Sequence, residues 1–249
     1  MTQWVFDLGN SRVKCAPLRA DGTLGEMRAF AYDEGVVAAL DATVSTAATG
    51  EASTAVLASV ASPVRTATVV DWLTTRFGVL SIARTQTALA GVRIAYREPA
   101  RMGVDRFLAL LAAHRRGQRP WLVVGVGTAV TIDLIDAQGR HHGGRIAPSP
   151  RLMRDALHDA AVQLPAQGGD YVEFASDTAD ALASGCDGAA LGLIERSLQQ
   201  AHAMLGQRPA LLLHGGGAAS LALHLHEGER VPTLVLEGLA IWAQLGAGA

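Results

Sequence analysis

The same order of predicted strands and helices occurs twice along the 249 residues of the chain. In each half, alternating apolar and polar residues predict three strands, and short apolar runs then alternate with segments of helical periodicity. Each half therefore has the predicted order βββαβαβα. This repetition predicts an α/β fold built from two duplicated lobes, residues 1–118 and 119–249.

The predicted boundaries follow from turn residues and helix-capping signals. The first half contains strands near residues 3–9, 11–18 and 27–32, a helix near 33–41, a strand at 56–60, a helix over 63–77, a strand at 79–83 and a helix over 105–114. The second half contains strands near 121–125, 129–136 and 141–147, helices near 150–160 and 178–205, a strand at 211–213, a helix after Gly217, a strand near Val231 and a helix over 234–245.

Composition and charge argue against several classes of protein. Apolar residues make up 49% of the chain, which is enough for a sizeable core, and the formal net charge of −2 gives no basic footprint for nucleic acid. No cationic, apolar leader precedes Asp7, and no apolar run approaches the roughly 20 residues that span a bilayer, so we expect a cytoplasmic protein without a membrane partner. Cys15 and Cys186 lack motif spacing, which predicts two buried reduced thiols, and the histidines lack the spacing of metal ligands.

Residues 7–14, Asp-Leu-Gly-Asn-Ser-Arg-Val-Lys, form a tight polar turn between two strand-like runs. A carboxylate, a glycine, small polar side chains and an ammonium group meet there, which suits a polyphosphate bound with Mg²⁺. Lys14 is the only lysine among 21 basic residues, and a compact ammonium suits phosphate in a narrow turn. A β-hairpin with an ordinary polar turn is the alternative, because Asn-Ser turns and strand-end aspartates are common.

A second turn of the same kind opens the second half. Gly127 and Thr128 place a glycine and a hydroxyl between two predicted strands. The string from Gly125 to Val130 resembles the start of the dinucleotide fingerprint G-x-G-x-x-G, but Val130 replaces the third glycine and a strand follows where a helix should open. The sequence therefore argues against a Rossmann site and predicts a nucleotide bound between the two lobes, with a hinge near residues 117–120.

The two lobes with their hairpins resemble the acetate and sugar kinase, Hsp70 and actin superfamily, which has a ribonuclease H-like fold. Within it, residues 7–11 resemble the D-x-G-N-[ST] phosphate loop of the type III pantothenate kinases. Other segments resemble motifs of that family in the same order: Tyr96–Arg106 resembles Y-x-x-P-x-x-x-G-x-D-R, Gly127–Asp133 resembles the second phosphate motif, Gly143–Pro148 resembles G-G-x-I-x-P, and Asp177-Thr178 and Leu236–Leu239 are weaker matches. Four motifs in order are specific, whereas one alone is weak.

The resemblance implies a kinase that transfers the γ-phosphate of ATP to the primary hydroxyl of pantothenate, the first step of coenzyme A biosynthesis. Asp7 would hold Mg²⁺ directly or through water, and Asp105 would be the general base for the pantothenate hydroxyl. The implied ATP-binding residues are Asp7, Leu8, Gly9, Asn10, Ser11, Arg12, Val13, Lys14 and Thr128. The implied pantothenate-binding residues are Tyr96, Gly103, Val104, Asp105, Arg106 and Thr178. The family is homodimeric.

Several of these residues also have ordinary structural explanations. Asp105 could be the N-cap of the helix that follows it, a role compatible with catalysis. Arg106 could pair with the pantothenate carboxylate or with a structural acid, and Tyr96 and Thr178 could bind substrate or only pack. The run Gly215–Gly217 could accept a nucleoside or form a plain strand-to-helix turn.

Two positions depart from the family pattern. Gly125 stands where family members usually carry an acid that is associated with a monovalent cation, K⁺ or NH₄⁺, and Ser149 stands where glycine is usual. A cation site needs hard oxygen ligands, and Gly125 offers only a backbone carbonyl. The sequence therefore predicts a weaker dependence on a monovalent cation than in relatives with the acid.

Two other classes of function are compatible with the same fold. A non-catalytic regulator would have a degraded base or phosphate loop, whereas Asp7 and Asp105 are both present. Another small-molecule kinase or a phosphohydrolase of the superfamily would share the hairpins but need not have the segment Tyr96–Arg106. We therefore expect a homodimeric pantothenate kinase that uses ATP and Mg²⁺ and binds no nucleic acid.

Overall fold

The computed structural model describes residues 3–33, 35–44 and 50–245, which form two compact units. The first unit comprises the described residues up to Gln118, Gln138–His141 and the described residues from Thr233 on, and the second comprises Arg119–Ala137 and His142–Pro232. The sequence pattern predicts that all residues after 118 belong to the second lobe. The chain instead returns to the first unit at Thr233, because its last helix packs into the core of that unit.

The elements follow one another along the described residues in this order. The strands are β1 (Gln3–Leu8), β2 (Arg12–Leu18), β3 (Arg28–Ala31), β4 (Gly50–Ser59), β5 (Phe77–Ile82), β6 (Ala88–Leu89), β7 (Val92–Arg93), β8 (Trp121–Val126), β9 (Ala129–Ile135), β10 (His141–Pro148), β11 (Ala210–His214) and β12 (Glu229–Arg230). The helices are α1 (Val36–Thr43), α2 (Pro63–Arg76), α3 (Val104–Arg115), α4 (Pro150–Ala160), α5 (Thr178–Leu205), α6 (Ala218–Ala222) and α7 (Leu234–Leu245).

The predicted α/β order is confirmed, with differences at a few boundaries. Phe77 begins β5 and does not end α2, because its extended backbone places the ring edge-on to Phe6 at a centroid distance of 5.8 Å. The helix α1 begins at Val36, later than predicted, because the Asp33 carboxylate accepts a hydrogen bond from Gly35 N–H and forms a local turn. The short ribbon β6–β7 and a 3₁₀ turn at Pro99–Arg101 carry too little periodicity to be predicted.

The sheet of the first unit has the strand order β3-β2-β1-β4-β5, so β1 lies in its middle. β1 pairs antiparallel with β2 and parallel with β4. Phe6 and Leu8 pack against α1 and α2, and successive side chains of a strand alternate between faces. Asp7 therefore points to the opposite face, on which α7 packs across β1, β2 and β4.

The helices α3 and α7 cross at close range in the first unit. A side-chain carbon added to Gly238 of α7 would come within 1.9 Å of the Leu108 carbonyl oxygen of α3, so only glycine allows this crossing. Phe107, Leu110 and Leu239 have no exposed surface. The first turn of α3 is thereby fixed relative to the sheet, and this turn carries Asp105 and Arg106.

The second unit repeats the topology with a sheet of order β10-β9-β8-β11-β12. β8 pairs antiparallel with β9 and parallel with β11. The long helix α5 begins after Asp177, whose Oδ1 accepts hydrogen bonds from Ala179 N–H and Asp180 N–H at 2.9 and 3.0 Å, and it ends at Gly206 with a left-handed φ of 70°. The shared strand order agrees with the predicted duplication of an α/β lobe.

Two further observations concern the whole described part of the chain. Cys15 and Cys186 are both buried free thiols, as predicted. Across residues 3–33, 35–44 and 50–245, the helices are all too short or too polar to cross a bilayer.

Candidate active site

The predicted phosphate hairpin joins β1 to β2 through Gly9, Asn10 and Ser11. Gly9 N–H donates to the Arg12 carbonyl oxygen at 3.0 Å, which closes the turn, and Val60 N–H donates to the Leu8 carbonyl oxygen at 2.9 Å. Asn10 and Ser11 are exposed at the tip. The backbone of this tip is therefore accessible to an anion while its base is fixed by the sheet.

Asp7 and Lys14 lie directly opposite each other on β1 and β2. Residues opposite each other in an antiparallel pair share one face of the sheet, so the carboxylate and the ammonium group are neighbours. The Asp7 side chain is buried, with 7% of its surface exposed, whereas Lys14 is half-buried. This is the only position at which the chain uses lysine.

Burial raises the pKa of Asp7 from 3.8 to about 7, the ammonium group of Lys14 opposes this shift, and the carboxylate of Asp105 adds to it. The effect of Asp105 on Asp7 places the two carboxylates in one electrostatic site. A carboxylate held near its pKa at neutral pH gains from a nearby cation, and Mg²⁺ commonly takes one or two carboxylates together with phosphate oxygens. Asp7 therefore fits the role of a magnesium ligand.

Asp105 lies in the first turn of α3 and is half-buried. The N-cap of this helix is Gly103, which has no side chain, and Asp105 Oδ1 accepts a hydrogen bond from Arg106 N–H at 2.8 Å. The N-cap interpretation of Asp105 is therefore wrong. The carboxylate instead sits at the positive end of the helix dipole, next to the site of Asp7.

The substrate segment predicted from the sequence brings Tyr96 and Arg106 together. Arg106 is buried, its Nη1 donates to Tyr96 Oη at 3.1 Å, and its guanidinium lies 5.7 Å from the centre of the Tyr96 ring. His141, which the sequence analysis left without a role, stacks on Tyr96 at a centroid distance of 6.2 Å and accepts a hydrogen bond from Ala95 N–H through Nδ1. No local sequence signal links His141 to Tyr96, because the contact is made between distant parts of the chain.

Two predicted site residues, Thr128 and Thr178, belong to the second unit. Thr128 is exposed in the turn between β8 and β9, where Gly127 N–H donates to the Ala129 carbonyl oxygen at 2.9 Å. Thr178 is the exposed first residue of α5, next to its N-cap Asp177. Hydrogen bonds from Asp180 N–H and Ala179 N–H lower the pKa of Asp177.

An acidic side chain at position 125 would require the neighbouring side chains to shift. A side-chain carbon at this position would lie 2.7 Å from Thr131 Oγ1 and 2.8 Å from His214 Nε2. His214 ends β11 directly beside Gly125 in the parallel register, so its imidazole fills the space that a carboxylate would need. Residue 125 therefore supplies no carboxylate to a cation.

The glycine run after β11 has a structural explanation. Gly215 has a left-handed φ of 94°, and a side-chain carbon there would come within 2.3 Å of the Val126 carbonyl oxygen. Gly217 N–H donates to that same carbonyl at 3.0 Å. The close approach of Val126 in this strand-to-helix turn therefore explains why glycine occupies positions 215 and 217.

The matching family model and two curated relatives give the same family. Residues 4–200 match the family model described as type III pantothenate kinase. The chain is 58% identical over 244 residues to a type III pantothenate kinase of Stenotrophomonas maltophilia (strain R551-3), covering 98% of both chains. It is 54% identical over 250 residues to one from Xylella fastidiosa (strain 9a5c), covering 99% of both chains.

Solved structures of much lower identity show the fold. A protein described as a Baf family transcriptional activator from Campylobacter jejuni matches with a TM-score of 0.62 at 16% identity, covering 97% of this chain and 98% of that one. A protein described as a 2-dehydro-3-deoxygalactonokinase from Sinorhizobium meliloti matches with a TM-score of 0.60 at 14% identity, covering 97% and 99%. Since the family model spans most of the chain and close relatives align over nearly all of it, the chain belongs to the type III pantothenate kinase family.

Proposed function

We propose that the chain phosphorylates pantothenate with ATP to give 4′-phosphopantothenate, the first step of coenzyme A biosynthesis. Full-length identity of 58% to a type III pantothenate kinase supports the reaction. The observation in the structure that supports it best is the site formed by Asp7, Lys14 and Asp105, in which two carboxylates and an ammonium group influence one another. Phosphoryl transfer depends on positioning and charge neutralisation, which such a site supplies.

The first hairpin binds the phosphates of ATP in this proposal. Backbone N–H groups at its tip and the ammonium group of Lys14 stabilise the negative charge, and Thr128 contributes a hydroxyl from the second unit. Asp7 holds Mg²⁺, which neutralises phosphate charge when it is bound. The complete set for ATP is Asp7, Leu8, Gly9, Asn10, Ser11, Arg12, Val13, Lys14 and Thr128.

Asp105 accepts the proton of the pantothenate hydroxyl. Its carboxylate lies at the positive end of the α3 dipole, close enough to Asp7 to raise the pKa of that carboxyl. Arg106 pairs with the substrate carboxylate, and Tyr96 orients the guanidinium through its hydroxyl. Gly103, Val104 and Thr178 complete the set for pantothenate.

The dependence on a monovalent cation is weak in this proposal. The imidazole of His214 occupies the space beside Gly125, so no carboxylate is available there to bind K⁺ or NH₄⁺.

The chain works as a cytoplasmic homodimer. In the second unit, α4 and α5 enclose a groove of about 680 Å³ that is lined almost entirely by apolar side chains. Leu152 and Leu157 on its rim are each 42% exposed, and exposed apolar patches of this kind mark protein interfaces. Light scattering of Leu157→Glu against wild type tests this assignment, because a dimer through this face would dissociate.

A panel of acceptors tests the reaction. Purified protein is incubated with ATP and Mg²⁺ together with pantothenate, pantothenol, glucose or glycerol, and ADP formation is measured. We expect pantothenate to be preferred, and pantothenol, which keeps the hydroxyl but lacks the carboxylate, to be a poorer acceptor. Turnover of a sugar in preference to pantothenate would contradict the assignment.

A further inference from the structure

Arg65 reaches the tip of the phosphate hairpin from a distant part of the first unit. It lies in the first turn of α2, three residues after the N-cap Ser62, and its Nη1 donates to the Asn10 carbonyl oxygen at 2.5 Å. The two residues are 55 positions apart in sequence. The proposed kinase mechanism gives no role to any residue of α2, so this contact needs its own explanation.

Tyr32 restricts the position of the Arg65 side chain. The guanidinium carbon lies 4.8 Å from the centre of the Tyr32 ring, which is the geometry of a cation–π contact. The Tyr32 hydroxyl is buried without a hydrogen-bond partner among the described residues, and burial and Asp7 raise its pKa to about 12 despite the opposing charge of Arg65. Tyr32 therefore stays neutral and contacts Arg65 through its ring.

The contact at Asn10 fixes a whole peptide group. A trans peptide is planar, and its C=O and N–H point in opposite directions. Since Asn10 C=O points at Arg65, Ser11 N–H points away from α2. The base of the hairpin is held by bonds at Leu8 and Gly9, and Arg65 adds a side-chain anchor at the exposed tip.

We propose that Arg65 is a positioning residue for nucleotide phosphate: it holds the Asn10–Ser11 peptide so that Ser11 N–H is oriented for a phosphate oxygen, and Tyr32 keeps the guanidinium in place. This inference rests on the proposed function, because it takes the hairpin to bind ATP. Rigid orientation of a donor before binding removes an entropic cost of binding, so loss of Arg65 weakens nucleotide binding without removing a reacting group.

The test measures nucleotide affinity without an acceptor. Isothermal titration calorimetry with Mg²⁺ and the non-hydrolysable analogue AMP-PNP is carried out on wild type, Arg65→Met and Arg65→Lys. We expect Arg65→Met to raise the Kd about tenfold and Arg65→Lys to recover most of the affinity, because an ammonium group can donate to the same carbonyl. An unchanged Kd in Arg65→Met would overturn the proposal.

Two further variants separate positioning from a general effect of charge or folding. Tyr32→Leu removes the ring and should raise the Kd several-fold, and Tyr32→Phe restores the ring and should recover the affinity; equal losses in both would contradict the role of the ring. Arg76→Met removes an arginine from the other end of α2, where it pairs with Asp41 at 2.8 Å, and should leave the Kd unchanged. A Kd raised as much in Arg76→Met as in Arg65→Met would also overturn the proposal.

The same variants distinguish this inference from the proposed function. In pantothenate kinase assays, Arg65→Met should raise the KM for ATP while kcat changes less than threefold. If wild type failed to phosphorylate pantothenate but AMP-PNP binding still depended on Arg65, the assignment of pantothenate as substrate would be wrong and the role of Arg65 would stand. If pantothenate were phosphorylated and neither KM nor Kd changed, only the role of Arg65 would fall.

Discussion

The two hairpins of the molecule occupy the same place in sheets of the same strand order, but they differ two residues before the loop glycine. In the first hairpin this residue is Asp7, which lies between Lys14 on one neighbouring strand and Ala58 on the other. In the second it is Gly125, which lies between Thr131 and His214. Ala58 has only a methyl side chain beside the carboxylate, whereas the side chains of Thr131 and His214 lie close to the position that a side chain at Gly125 would occupy.

The two hairpins share a fold but differ in the charged groups that they carry. The position before the loop carries a carboxylate with a neighbouring ammonium group in the first hairpin, and a glycine between a threonine and a histidine in the second. Burying a carboxylate costs free energy unless a partner or a bound ligand compensates for it. We therefore infer that the buried carboxylate occurs only in the hairpin where it has a function. The predictions below test whether the charged hairpin carries the function.

The largest effect is expected from Asp105, the proposed general base in the first unit. Asp105→Asn keeps an oxygen that can accept the Arg106 N–H bond but cannot take a proton from the substrate, so kcat should fall by about 10²-fold or more. Thermal stability should change little. Steady-state kinetics and a melting curve check both expectations, and near-wild-type turnover would remove Asp105 from the mechanism.

The next largest effect concerns the ammonium group of the charged hairpin. Lys14→Met should reduce kcat/KM for ATP about tenfold, equivalent to about 1.4 kcal/mol, because phosphate charge is no longer offset. The pKa of Asp7 should also rise, since Lys14 lowers it in the wild type. Arg19→Met is the control: this exposed arginine bonds within the turn at Thr23 and Leu24, and its loss should leave ATP kinetics unchanged.

A smaller effect is expected in the pH dependence of stability. Between pH 4 and 7 the unfolded Asp7 carboxyl is ionised while the folded one, with a pKa of about 7, still holds its proton, so the wild type loses stability as pH rises through this window. Asp7→Asn lacks this loss. Its melting temperature should therefore exceed that of wild type by roughly 5–10 °C more at pH 8 than at pH 5.

The exposed carboxylate of Asp21 is a matched control for this measurement. Hydrogen bonds from the Thr23 side chain and backbone lower the pKa of Asp21, so Asp21→Asn should give no stability gain that grows with pH. A difference between Asp7→Asn and wild type that is constant from pH 5 to pH 8 would show that the carboxylate of Asp7 is already ionised at pH 5.

The smallest effect is expected from the uncharged hairpin. Activity in potassium, ammonium and tetramethylammonium salts at equal ionic strength should agree within about twofold, because Gly125 supplies no carboxylate to a cation. Loss of nearly all activity in tetramethylammonium, restored by potassium, would show that other oxygens form the site and that the two hairpins differ less than their side chains indicate.

Local sequence patterns predicted most of the strands, the two hairpins and the presence of Asp7 and Lys14 in one hairpin, because a hairpin joins residues that are close in sequence. They did not predict that His214 fills the space beside Gly125, since that contact depends on the parallel pairing of β8 with β11. The contact of Arg65 with Asn10 was not predicted either, because the two residues are 55 positions apart in sequence. The alternative that Asp105 is an N-cap was plausible because an aspartate before an apolar run is typical of that role, and only the backbone shows that Gly103 is the N-cap.

The return of α7 to the first unit has a consequence for synthesis of the chain. The surface that α7 covers on α3 and β1 is made early, but α7 begins about 115 residues after Gln118. At about 5–20 residues per second, a ribosome takes roughly 6–20 s to cover that distance. During this interval the nascent first unit exposes apolar surface, so we expect it to bind chaperones until α7 emerges and docks.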